Sequence, residues 1–215
     1  MFAEPASTRL DLRFELAGVR IRIHPMFWLV AALLGLRLPI AEQVLFVFVV
    51  FVSVLTHEMG HALGSRAIGR RPHVVLHGLG GSTVSEARVG DESGWQRSLV
   101  TLAGPLAGGL LALGALAMSL SGSTGSGLLG AVRFHLLWVN VVWSLFNLLP
   151  VIPLDGGWAM QRLLTSIGGD TGYASSSIVS FAMAGIVAFL AWRMSQPFLA
   201  LYMVYLAVKT WEESF

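Results

Sequence analysis

The chain contains no cysteine. That excludes disulfides and every thiolate metal site, so any metal would have to be held by His, Asp or Glu. Charge is also scarce: 12% of the 215 residues are Asp, Glu, Lys or Arg, while 55% are hydrophobic. Soluble domains carry about 25% charged residues, so the composition points to a membrane class. A net charge of +2, from 14 basic and 12 acidic residues, is too slight to favour nucleic acid as a partner. The first 24 residues lack the apolar stretch and small-residue cleavage site of a signal peptide. No internal repeat is present, and the length suits one compact membrane domain.

Long apolar segments fill the space that charge leaves. They fall at about 25–40, 41–64, 98–120, 131–149, 175–193 and 197–209, and a membrane span needs about 20 apolar residues. The expectation is a mainly α membrane fold of about six transmembrane helices, the first and last of them short. Before them, Leu10–Leu16 and Val19–Ile23 alternate apolar and charged residues around Ala17-Gly18. This predicts a small amphipathic β-hairpin lying against the membrane. The chain therefore divides into a cytosolic hairpin segment, 1–24, and a polytopic membrane core, 25–215. With six spans, Arg37, Arg133 and Arg193 fall on one side and the other eleven of the 14 basic residues on the other. The positive-inside rule then makes both termini cytosolic, in a multi-pass protein of the cell membrane. Gly104 and Gly108 form a small-xxx-small pair in the third span, the pattern of close helix packing.

Inside the second apolar run stands His57-Glu58-Met59-Gly60-His61. Residues four apart share a helix face, so His57 and His61 can present two imidazole nitrogens to one ion. Glu58 can reach a water bound to that ion. Two His ligands with a Glu general base form the helical zinc-protease pattern. A carboxylate is costly at membrane depth, so its presence there argues for function.

Tetrahedral zinc needs a third protein ligand and an open position for water. A common extension of the motif would place a further His at position 67, which is Ala. The remaining candidates are Asp155, Glu86, Asp91, Glu92, Asp170, His73, His77 and His135. The fourth span returns to the side of His57 and His61 and ends at Asn147-Leu-Leu-Pro-Val-Ile-Pro-Leu-Asp155-Gly-Gly157. Pro150 and Pro153 interrupt helix there, freeing backbone groups that only protein or water can satisfy. An irregular segment ending in a carboxylate belongs at a polar cavity, which favours Asp155. His135 begins the same span at the opposite face. Independently, Val74–Val84 sets β-branched runs about a Gly-rich turn, predicting a second short hairpin.

Together these features resemble the site-2 protease family of intramembrane zinc metalloproteases. The resemblance rests on His57–His61 in span two, Asn147…Pro150…Pro153-Leu154-Asp155-Gly156 in span four and Leu79-Gly80-Gly81 between spans two and three. Ile23-His24-Pro25 adds to it, and the likeness covers about residues 18–160. It implies one Zn2+ held by His57, His61 and Asp155, with Glu58 as catalytic acid/base. It further implies that Asn147 lines the site beside the substrate backbone, and that the hairpin bearing Gly80 and Gly81 is re-entrant and binds substrate. The implied substrate is a single-span membrane protein, cut in or near its transmembrane segment in regulated intramembrane proteolysis. Membrane lipids are the other partner. Nothing resembles a PDZ insertion or a CBS pair, so the expectation is a minimal core whose recruiting or accessory protein is unknown. Two rivals are a metal transporter, which would spread ligands along several spans, and a catalytically silent zinc scaffold, which would not need Glu58.

Overall fold

A computed structural model of the chain describes residues 4–78, 80–86, 94–120 and 127–214. The expectations for Leu79, Asp91 and Glu92 therefore lie outside the described residues. The chain forms two compact units, one of residues 1–89 and 103–144, the other of 90–102 and 145–215.

The first unit is built on a four-stranded sheet in the order β1-β2-β3-β4, comprising Leu12–Leu16, Val19–Ile23, Arg71–His77 and Gly80–Glu86. The expected N-terminal hairpin is present. Its turn places Ala17 and Gly18 at φ 50° and 73°, the positive-φ pair that suits the twist of a two-residue hairpin. The expected Val74–Val84 hairpin is also present as β3 and β4, which pair antiparallel. The sequence pattern did not show that the two hairpins join, β2 pairing parallel to β3. Local alternation identifies a strand's faces but not a partner about fifty residues away. Parallel neighbours require a long crossover, supplied by α1 (Pro25–Leu34) and α2 (Ile40–Ala67).

One face of this sheet packs on those helices. Val19, Ile21, Ile23, Val74 and Leu76 are buried with Phe27 and Ala31 of α1 and Val50, Val54 and Ala62 of α2. On β1, Leu12, Phe14 and Leu16 stand opposite Ile23, Ile21 and Val19 and so continue the same apolar face. They remain exposed. On the outer face, Arg22 donates to the Pro5 carbonyl and to the carboxylates of Glu4 and Asp11, while His73 meets Glu4 at 2.8 Å. These contacts tie the N-terminal segment to the sheet. Asp11 is held well below the usual carboxylate range, at about 2, chiefly by the Thr8 hydroxyl and further by the Thr8 amide and Arg22.

Helices α3 (Gly94–Leu120) and α4 (Leu128–Asn147) complete the first unit with their residues 103–120 and 128–144. In the second unit, α5 (Asp155–Arg193) is broken at Gly169, whose φ of 54° no helix accommodates, and is followed by α6 (Pro197–Ser214). Small residues let α5 and α6 pack closely: Ala184, Ala188, Ala191 and Ala200 are buried, together with Met203 and Leu206. Residues 155–168, which lie between the apolar segments 131–149 and 175–193, are helical.

Among the described residues, four helices are long and apolar enough to cross a membrane: α2, α3, α4 and α5. The ten-residue α1 is a shorter apolar helix, and the eighteen-residue α6 is not among the four. The fold is mainly helical, with its small sheet formed by the N-terminal part of the chain.

Candidate metal centre

Helix α2 carries His57 and His61 on consecutive turns, and their Nε2 atoms lie 3.2 Å apart. The rings are nearly perpendicular, at 83°. Two zinc–nitrogen bonds of about 2.0–2.1 Å at a tetrahedral angle span roughly 3.3 Å, so the pair fits a shared ion. His57 and Glu58 are buried.

Small residues make room for the pair. A Cβ on Gly104 of α3 would run into the His61 imidazole, and one on Gly60 would strike the Ala103 carbonyl. Gly108, one turn further along α3, lies where a Cβ would come 2.6 Å from Ser144 Oγ of α4. The expected close packing is therefore real, and at Gly104 it also shapes the His61 pocket. Beside His57 stands Trp143, ring centroids 6.3 Å apart. The edge of that indole lies 3.0 Å from where a Gly80 side chain would begin.

Glu58 faces β4. The Thr83 hydroxyl lies 2.7 Å from Glu58 Oε2 and 3.0 Å from the Glu58 carbonyl, and its single proton is drawn to the stronger acceptor, the carboxylate. Gly81, two residues earlier and on the same strand face, is pressed against this side chain: a Cβ there would sit 2.5 Å from Cγ and 2.6 Å from Oε1. One turn before His57, Ser53 Oγ accepts a 2.8 Å hydrogen bond from Asn140 Nδ2 of α4, and both residues are buried.

Asp155 is the first residue of α5, and Asn147 the last of α4. His57, His61 and Asp155 each offer one ligand atom, and these atoms lie within 4.8 Å of one another, a group that could hold a metal ion. The other described candidates are engaged elsewhere or lie outside the group. His135 pairs with Glu42 at 2.9 Å, fifteen residues and about 22 Å along α2 from His57. His73 meets Glu4, His77 ends β3, Glu86 ends β4 and Asp170 follows the break in α5.

Sequence reading did not single out Thr83, Trp143 or Asn140. Thr83 was accessible in principle, since period-2 geometry puts it on the Gly81 face. Asn140 carried the signal of a polar residue within an apolar span.

Two matches to families of known proteins cover this centre. Residues 26–154 match the family described as Peptidase M50B-like, a stretch holding His57, Glu58, His61, Gly80, Gly81 and Asn147. Residues 124–191, which include Asp155, match Peptidase family M50. A relative from Synechocystis sp. whose assigned name is that of a zinc metalloprotease is 32% identical over 126 residues, covering 56% of this chain and 31% of its own. The zinc metalloprotease of Methanocaldococcus jannaschii is 27% identical over 175 residues, 78% of this chain and 48% of its own. The chain thus spans about a third to a half of the length of these relatives. In fold it resembles the solved structure of a site-2 protease from Methanocaldococcus jannaschii, with a TM-score of 0.61 at 22% identity over 95% of each chain.

Proposed function

The chain belongs to the Peptidase M50B-like family, and from that premise we propose that it is an intramembrane zinc metalloprotease with His57, His61 and Asp155 as ligands and Glu58 as acid/base. The observation that carries this reading is the convergence of three ligand atoms within 4.8 Å beside a buried carboxylate. Its four membrane-length apolar helices make the chain an integral membrane protein.

Bound zinc would supply a Lewis acid for the scissile carbonyl and lower the pKa of a water to about 7. The remaining work falls to side chains of this chain. Thr83 engages Glu58 Oε2, leaving Oε1 to take a proton from the attacking water and return it to the leaving amine. Among the described residues β4 pairs only with β3, so its other edge can accept an extended substrate by strand addition. Gly80 and Gly81 keep side chains out of that approach, and Asn147 binds the substrate backbone. A substrate helix, whose backbone is internally bonded, must unwind to offer its carbonyl, which Gly, Pro or Asn would ease.

In this reading the substrate is a single-span membrane protein, cleaved in or near its membrane segment in regulated proteolysis. The enzyme lies among the lipids of the cell membrane with both termini cytosolic. Segment 1–24 is the cytosolic hairpin and 25–215 the membrane core. The β3–β4 hairpin is re-entrant, and α1 and α6 join the four long helices as partial or short spans. At ten residues, α1 reaches about 15 Å into a hydrocarbon core of roughly 30 Å. Recruitment of substrate by a separate accessory protein is consistent with this arrangement.

The test is cleavage by the purified protein of a panel of single-span substrates in detergent and in vesicles, with and without chelator. Chelator-sensitive cleavage restored by zinc is the expected result. Cleavage indifferent to chelator, or none across the panel when zinc is bound, would count against the reading.

A further inference from the structure

The segment between α4 and α5 departs from helix for seven residues, 148–154, before presenting Asp155. Pro150 and Pro153 bring no amide proton, and the segment is held mainly by short turns: Val151 N–H to Leu149 O at 2.8 Å, Leu154 N–H to Val151 O at 2.7 Å. Ile152, at its centre, is 1% exposed. Both of its backbone polar groups would be orphaned in an apolar setting unless something reached them.

Two hydroxyls from the C-terminal helices do so. Ile152 N–H donates to Ser180 Oγ of α5 at 2.7 Å, and Thr210 Oγ1 of α6 donates to Ile152 O at 2.8 Å. Ser180 Oγ and Thr210 Oγ1 lie 3.3 Å apart. With the Ser180 proton directed to Thr210, the three residues close a ring in which each donor meets an acceptor. Both hydroxyl residues have no exposed surface. On the other flank, a Cβ on Gly156 would strike Leu148 O, and one on Gly157 would strike the Val151–Ile152 peptide. The segment is pinned by hydroxyls in its middle and by glycine contacts at the end where Asp155 emerges.

We propose that Ser180 and Thr210 are positioning residues for Asp155, so that the last two helices set the affinity of the metal centre without touching it. This rests on Asp155 being a metal ligand. Supporting residues behind metal ligands are typically worth about 10- to 100-fold in metal affinity. Side chains that merely stabilise the α5–α6 pair would not show that effect selectively.

The experiment measures zinc affinity of the full chain by competition with a chromophoric chelator, alongside the thermal stability of the metal-free form. Thr210→Val and Ser180→Ala should each weaken zinc binding by about 10-fold or more, with Thr210→Ser restoring it to near the parent value. Met203→Ala, which empties a buried site on α6, should lower stability while leaving zinc affinity intact. If Thr210→Val does not insert, Ser180→Ala against Met203→Ala carries the same comparison. Asp155→Ala separates the two ideas. If it loses zinc while the hydroxyl variants keep parent affinity, the positioning role is wrong and the ligand assignment stands. If it keeps zinc, both fall. Equal loss in Met203→Ala, or no rescue by Thr210→Ser, would reduce the effect to general loosening and overturn the proposal.

Discussion

His61 and Asp155 belong to the same candidate ligand group, yet the chain presents them in opposite ways. His61 rides on an unbroken helix that fixes its spacing from His57, and what it requires of its surroundings is room, provided by Gly104. Asp155 follows seven residues of irregular backbone that the helix ladder cannot hold. At the middle of that stretch Ile152 donates its N–H to Ser180 Oγ and accepts from Thr210 Oγ1. A regular element therefore needs space around its functional side chains, whereas an irregular one needs partners for its backbone.

The largest effect should come from filling the space on the regular side. Gly104→Val would place a branched side chain inside the His61 ring's volume, and the ring would have to leave the position in which its Nε2 lies 3.2 Å from that of His57. Overpacking of this kind costs about 1–3 kcal/mol or more. Zinc content after dialysis should fall to a small fraction of the parent's, with cleavage falling in step. Gly109→Val serves as control, since a Cβ at that glycine meets nothing within 4 Å. Parent-like zinc in the Gly104 variant would mean that room is not what the helix side requires.

A smaller effect is expected where a hydrogen bond rather than space is at stake. Thr83→Val removes the hydroxyl that engages Glu58 Oε2 while keeping the shape. The rate of cleavage should drop by about tenfold, the scale of one hydrogen bond to a charged group, with zinc content unchanged and Thr83→Ser recovering most of the rate. A rate drop accompanied by zinc loss would show that Thr83 supports the fold of the centre instead of the carboxylate.

These contrasts also explain what could be read from sequence. The i, i+4 histidines, the intervening Glu58 and the Gly104/Gly108 pair obey helix periodicity, so residue spacing alone predicts which side chains meet. Both hairpins were legible for the same reason, period 2 in place of 3.6. Asp155 could be favoured because its topology is coarse: a span returns to a known side and ends in a carboxylate. The β2–β3 pairing, the Asn140–Ser53 bond and the Ser180–Thr210 contact with Ile152 were not legible, because nothing periodic links residues that meet only in the folded chain. Serine and threonine in apolar helices carry too weak a signal to mark a partner, and Gly169, which breaks α5, looks in sequence like any other helix glycine.

The smallest expected effect lies far from the centre, where the N-terminal segment is tied to the sheet. Asp11, at about 2 because of Thr8 and Arg22, has a folded pKa below its unfolded one. Its contribution to stability is therefore fully present above the ordinary carboxylate pKa of about 4 and is lost as pH falls through about 2. Asp11→Asn should lower the unfolding temperature slightly at pH 5, and the difference from the parent should shrink as the pH is brought below 3. A difference constant from pH 5 to pH 2 would show that the ionised carboxylate contributes nothing.

Glu58→Gln separates a working protease from a protein that merely holds metal. The substitution keeps the size and the Thr83 contact while removing the base, and loss of acid/base catalysis typically costs about 10²–10⁴ in rate. Zinc content and cleavage of a single-span substrate should be measured on the same purified sample, beside the parent. Retained zinc with cleavage reduced by at least a hundredfold is the result expected if Glu58 moves the protons. Zinc retained with cleavage as fast as the parent's would contradict that role and the proposed mechanism with it.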